Sequence, residues 1–163
     1  MPEVLRFGDI DPDELTELLA GYQLKIIPGP PDQPIPGSFW GDEEAGLLQQ
    51  QLYLRGDTPV HSVLHEACHY ICMDENRRRN LDTNAGGSHD EENAVCFLQI
   101  ILAEQLSCMG RARMFADMDT WGYSFRLGSA KAWFEADADD ARTWLEERNL
   151  IDQHARPTLR LRQ

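Results

Sequence analysis

Two histidines and a glutamate stand together in His65-Glu66-Ala67-Cys68-His69. On a helix, residues four apart share one face, one turn above each other. Imidazoles at that spacing can close on one zinc ion at about 2.0–2.1 Å. Glu66 then stands beside the metal rather than on it, where a carboxylate can act on a metal-activated water. The chemistry requires a helix, and the neighbouring residues predict one. Thr58 suits an N-cap, Asp57 suits the positive end of the helix dipole, and Pro59 fits the first helical position. Val60, Val63, Leu64, Ala67, Cys68, Ile71 and Cys72 then recur at helical spacing, so the helix is mostly apolar and buried. Polar side chains in such a helix need partners, which a metal supplies. The plainer alternative is a chance match on a core helix with ordinary buried histidines.

A zinc site takes at least three protein ligands, and a catalytic one leaves a further position open to water. Glu75 lies where the H-E-x-x-H-x-x-G-x-x-H pattern places its last histidine, but Cys72 replaces the glycine of that pattern. His61 precedes His65 by one turn and stands about 12 Å along the axis from His69, too far to share an ion with both; it reads as a core histidine or an outer partner. Glu91 is favoured. Ala94, Val95, Leu98, Ile101 and Leu102 form an apolar stripe, and Glu91 projects to its centre, with Glu92 to one side beside Gln99. A carboxylate on a buried stripe needs a partner. The competing role for Glu91 is a capping box with Ser88. His89, Asp90 and Glu92 are close enough to substitute as ligands.

Around these residues the chain predicts an α+β domain. Asp11 and Pro12 open a short helix that Gly21 stops, and Tyr22–Ile27 reads as a strand. The proline-rich stretch Pro28–Gly37 reads as a surface loop. Ser38–Gly41 resumes extended structure, Leu47–Leu54 reads as one glutamine-rich strand, half-exposed or at an edge, and Asp74–Gly87 reads as a polar loop with three solvated arginines. A second long helix runs from Ser88 to Met109, ended by Gly110; shorter helices follow over 112–118, 129–135 and 137–148, with a loose tail from Gln153. The whole reads as one domain over 1–163, with its core about 11–110, a C-terminal helical part about 111–150 and a tail 151–163.

The formal net charge is −13, from 28 acidic against 15 basic residues, which disfavours nucleic-acid binding as the main activity. Cys68, Cys72, Cys96 and Cys108 fall in apolar or helical contexts and read as reduced thiols of a cytoplasmic protein. Met1-Pro2-Glu3-Val4 carries no signal-peptide pattern, and neither a membrane span nor a lipidation motif is expected.

A strand, then H-E-x-x-H on a helix, then E-x-x-A on a second helix resembles the gluzincin type of zincin metallopeptidase, and most closely the ImmA/IrrE family. The likeness rests on Gln51-Leu52-Tyr53-Leu54 leading to the motif helix, and on Glu91-Glu92-Asn93-Ala94-Val95-Cys96-Phe97. It spans roughly Tyr22 to Leu102. Val95 stands where many gluzincins carry an acidic residue that braces a histidine. The resemblance implies zinc ligands His65, His69 and Glu91, with Glu66 as general base. It implies a zincin-like fold: a small antiparallel or mixed sheet on the motif helix, a second glutamate-bearing helix, and extra C-terminal helices. It also implies hydrolysis of peptide bonds in intracellular proteins or peptides, with an open strand edge to hold the substrate. Tyr123, Arg126 and His154 are candidates for stabilising the oxyanion. The alternative is a non-catalytic regulatory or binding protein that keeps the same fold.

Overall fold

The structure is a computed structural model that describes residues 3–38, 42–81 and 86–163. Residues 39–41 of the expected extended segment and 82–85 of the expected loop lie outside them. In chain order the regular elements are α1 (Asp13–Ala20), β1 (Lys25–Pro28), β2 (Gly46–Leu48), β3 (Gln51–Leu54), α2 (Val60–Cys72), α3 (Glu75–Arg79), α4 (His89–Ala103), α5 (Gly110–Trp121), α6 (Ala130–Ala136) and α7 (Asp139–Glu147). The class is α+β with a small mixed sheet.

Strand order in the sheet is β1-β3-β2. β1 runs parallel to β3 with Ile26 opposite Leu52, and β2 runs antiparallel with Leu47 opposite Leu52. The stretch expected as one strand is therefore a hairpin, folded at Gln49-Gln50 with Gln49 at φ 55°. Two-residue hairpin loops demand positive φ, and glutamine gives no advance signal of it. The alternation within β3 survives: Leu52 and Leu54 are buried and Gln51 is exposed. Both sides of β3 are paired, so the strand next to the motif helix has no free edge. β1 starts at Lys25 rather than Tyr22, because Leu24 N–H first bonds back to Leu19 O at 3.0 Å.

α2 starts at Val60, whose N–H donates to Leu5 O at 2.8 Å. The Thr58 hydroxyl, expected to cap it, instead accepts from Arg55 N–H at 2.9 Å. At the other end of α2, backbone carbonyls that a helix leaves without partners are met by arginines. Arg78 Nη1 donates to Tyr70 O at 3.4 Å and to Met73 O. Arg162 gives its N–H to Ile71 O at 3.0 Å and its Nη1 to Cys72 O at 3.1 Å. Arg78 also donates to Arg162 O. The expected solvated arginines and loose tail are thus corrected: Arg78 is buried, and the C-terminal segment is tied across the end of α2. The polar loop also contains a helix, α3, capped by Asp74 accepting from Arg77 N–H at 2.9 Å.

Ser88 caps α4 as its sequence suggests, accepting from Glu91 N–H at 3.3 Å. The helix ends at Ala103, and Gly110 opens α5 instead of closing α4. α4 packs against α2, α5 and α7. One continuous hydrophobic cluster runs from Leu15 to Ile151. Among the described residues, no helix is long and apolar enough to cross a membrane.

Gly46 is packed so tightly that a Cβ there would lie 2.1 Å from Pro36 O and 2.4 Å from Ser38 N. Gly56 has nothing within 4 Å of its virtual Cβ. Gly46→Ala is therefore expected to lower stability by about 1–3 kcal/mol through overpacking, and Gly56→Ala to stay within about 0.5 kcal/mol of wild type. Urea unfolding of the two variants checks this; equal midpoints would contradict it.

Candidate metal centre

α2 is buried along almost its whole length and carries His65 and His69 towards α4. Their Nε2 atoms lie 3.1 Å apart, and Glu92 Oε2 on α4 lies 3.4 Å from His69 Nε2. The three ligand atoms fall within 4.8 Å of one another. Tetrahedral bonds of about 2.0–2.1 Å separate neighbouring ligand atoms by about 3.3 Å. The two measured separations bracket that edge length, and two imidazoles with a carboxylate are a donor set that zinc accepts. The residues present can hold a metal ion.

The protonation states suit that role. Burial, then His65 and Arg77, pushes the His69 pKa well down; burial lowers that of His65, against the opposing pull of Gln99 and Glu44. Both rings are thus neutral near neutral pH, the form that binds metal. The His69–Glu92 contact is accordingly not an ion pair. Gln99 sets the tautomer of His65. Its Nε2 donates to His61 O at 3.0 Å, which leaves Oε1 facing His65 Nδ1 at 2.8 Å. Nδ1 therefore carries the proton, and the Nε2 lone pair is free for an ion.

The group that could hold an ion is His65, His69 and Glu92, with Glu66 next to His65 on α2; the carboxylate of Glu91, the third ligand expected, is engaged elsewhere. Glu91 is buried, as its place on the stripe predicts. Its carboxylate, however, accepts from Arg77 Nη1 at 2.7 Å and lies 3.7 Å from Arg162 Nη1. Gly87 closes over it, since a Cβ there would meet the carboxyl group at 2.5 Å. The physical reason is that α4 packs on both α2 and α7. Its buried arc is wider than the face that meets the histidines, so the centre of the arc is not the direction of the site. A better signal was present: Glu92 and Gln99 are seven apart and share one face, and Gln99 is a fully buried amide. Glu75 pairs with Arg79 at 2.7 Å and takes no part.

Glu66 is almost buried, and its pKa is pushed up to about 8 by burial, then by Glu44 and Glu92. Glu44, which no sequence pattern singled out, accepts from Ser62 Oγ at 2.6 Å and from Trp121 Nε1 at 2.7 Å. Tyr123 stands edge-on to His65 at 5.6 Å between ring centres. Its hydroxyl lies 3.1 Å from His61 Nδ1 and 3.4 Å from Gln99 Nε2. Of the oxyanion candidates only Tyr123 reaches the centre; Arg126 pairs with Asp137 at 3.2 Å, and His154 lies beside Gln153. His61 is fully buried between Trp121 and Tyr123, and burial lowers its pKa to about 3. It is a core histidine outside the ligand set.

Comparison with protein-family models, with curated proteins and with solved structures finds no match to this chain.

Glu92→Ala is expected to weaken zinc binding by more than the roughly 10–100-fold typical of losing an outer hydrogen-bond partner. Gln99→Leu is expected to fall within that range, and Glu91→Ala to keep near-wild-type affinity while losing thermal stability. Competition with a chromophoric chelator measures all three. Loss of zinc in Glu91→Ala with retention in Glu92→Ala would reverse the ligand assignment.

Proposed function

We propose that this chain is a zinc-dependent metallopeptidase of the gluzincin type acting on peptide bonds of cytoplasmic proteins, similar to the ImmA/IrrE family in its H-E-x-x-H helix but with Glu92, one residue beyond the glutamate of the E-x-x-A pattern, as the third ligand. The supporting observation is that His65, His69 and Glu92 bring ligand atoms within 4.8 Å of one another, two of the separations, 3.1 and 3.4 Å, being close to the edge of a zinc tetrahedron, with Glu66 next to His65 on the same buried helix. A zinc ion held there would acidify water and polarise a scissile carbonyl.

The chain's own residues do the rest. Glu66 accepts the proton of the attacking water and delivers it to the leaving amine. A dication nearby favours its charged form and opposes the burial that raises its pKa. Glu92 supplies the negative ligand. Gln99 holds His65 in orientation and tautomer, and Tyr123 holds Gln99 while closing one side of the His65 ring against water. Glu44, fixed by Ser62 and Trp121, adds negative charge near Glu66 and keeps its proton affinity high.

The second reading is a regulatory protein that keeps the fold and has no peptidase activity. Without a metal, burial keeps Glu66 protonated at neutral pH, and a protonated carboxyl is no general base. Glu66→Gln separates the two. The amide keeps the shape of the side chain but accepts no proton. Zinc content should match wild type, and hydrolysis should fall by about 10²–10⁴-fold. New protein termini are compared after zinc-loaded wild type and Glu66→Gln are each incubated with a cell lysate. Termini produced only by wild type support the peptidase; identical termini from two zinc-loaded proteins favour the regulatory reading.

A further inference from the structure

A groove of about 740 Å³ opens where Tyr70 of α2, helix α3, the β2–β3 turn and the C-terminal segment meet. That volume lies in the range typical of ligand sites, roughly 300–1,000 Å³. His65, Glu66, His69 and Glu92 do not line it.

Its charge opposes that of the chain. Arg78, Arg79 and Arg160 face the groove against a single acid, Glu75, in a protein of net charge −13. Arg78 is committed to the carbonyls at the end of α2. Arg160 is exposed and has no ion-pair partner among the described residues. Arg79 meets Glu75 at 2.7 Å with both side chains more than half exposed; such a pair contributes little and exchanges readily for another carboxylate.

The rest of the lining is suited to a peptide. Gln23, Gln49, Gln50 and Gln163 offer amide donors and acceptors. Leu159 is a large apolar side chain left 51% exposed. Gln23, Gln49 and Leu159 hold left-handed backbone, at φ 65°, 55° and 62°. Gln49 takes it in the two-residue hairpin loop and Gln23 in the turn that ends α1.

We propose that the groove binds an acidic peptide segment of a partner protein. Carboxylates of the segment pair with Arg79 and Arg160, in the forked geometry that guanidinium groups favour. The glutamine amides take the peptide backbone, and Leu159 takes an aliphatic side chain. An inorganic anion would use the arginines alone and leave the amides and Leu159 idle. Binding here is separate from hydrolysis at the metal centre and does not require it.

The test is fluorescence anisotropy with a short labelled peptide of glutamate, glycine and leucine, titrated with the full chain in the Glu66→Gln background so that cleavage cannot intervene. Saturable binding is expected, weakened by added salt and absent for the peptide with lysine in place of glutamate. Arg79→Glu and Arg160→Glu should each weaken it at least about tenfold, with zinc content and circular dichroism unchanged. Arg160→Ala, a gentler change at an exposed position, should weaken it in the same direction. Absence of saturable binding overturns the proposal, as does unchanged affinity in the charge-reversed variants. Binding of inorganic phosphate with no binding of the peptide would also overturn it, leaving a simple anion site.

Discussion

The structure depends on one constraint: a helix buried on nearly every side that carries ionisable groups in its middle. α2 places His65, Glu66 and His69 among the fully buried Leu64, Ala67, Cys68 and Ile71, with Glu66 and His69 buried and His65 half-buried. Buried polar groups are costly unless paired, and the arrangement of the other elements follows from that cost. α4 brings Glu92 and Gln99 to the two histidines. The end of α5 brings Trp121, the segment after it brings Tyr123, and the turn before β2 brings Glu44. His69 Nδ1, His61 Nε2 and Glu91 Oε1 are buried without a hydrogen-bond partner among the described residues.

The ends of α2 are fixed with the same economy. Leu5 receives the first N–H, and Arg78 and Arg162 meet the last carbonyls. Two guanidinium groups also lie near the negative end of the helix dipole, which favours them there. Arg162 reaches on to Glu91, and Arg77 binds the same carboxylate from α3. Glu91 thus ties α4, α3 and the C-terminal segment together at the end of the helix that bears the histidines. The adjacent Glu92 is left to face His69. Two neighbouring glutamates divide the work: one holds the helices in place and the other can hold an ion.

The sequence made the motif helix, its partner helix and the α+β class legible, because helical spacing of apolar residues is a local signal. The cap at Ser88 was legible for the same reason. Less local features were not. The hairpin at Gln49-Gln50 hid inside a continuous polar–apolar alternation. The arginines after α2 looked like surface charge, because the carbonyls they serve lie in another element and in the fold rather than the pattern. Glu91 and Glu92 both lie on α4, and the choice between them turns on which neighbour each side faces. That is a property of packing, which a single helix projection does not contain. Glu44 carries no motif at all; only the approach of Trp121 and Ser62 reveals it.

Geometry also decides which donors a metal ion can use. Cys68, Cys72 and Cys96 lie on the same two helices, but among the described residues the ligand atoms that converge are those of His65, His69 and Glu92. Nitrogen and oxygen donors are therefore expected. X-ray absorption at the zinc edge, on protein loaded with one equivalent, tests the metal centre most directly. The expected result is a shell of nitrogen and oxygen at about 2.0–2.1 Å with outer scattering from two imidazoles. A sulfur shell at about 2.3 Å, or failure to retain zinc at all, would contradict it.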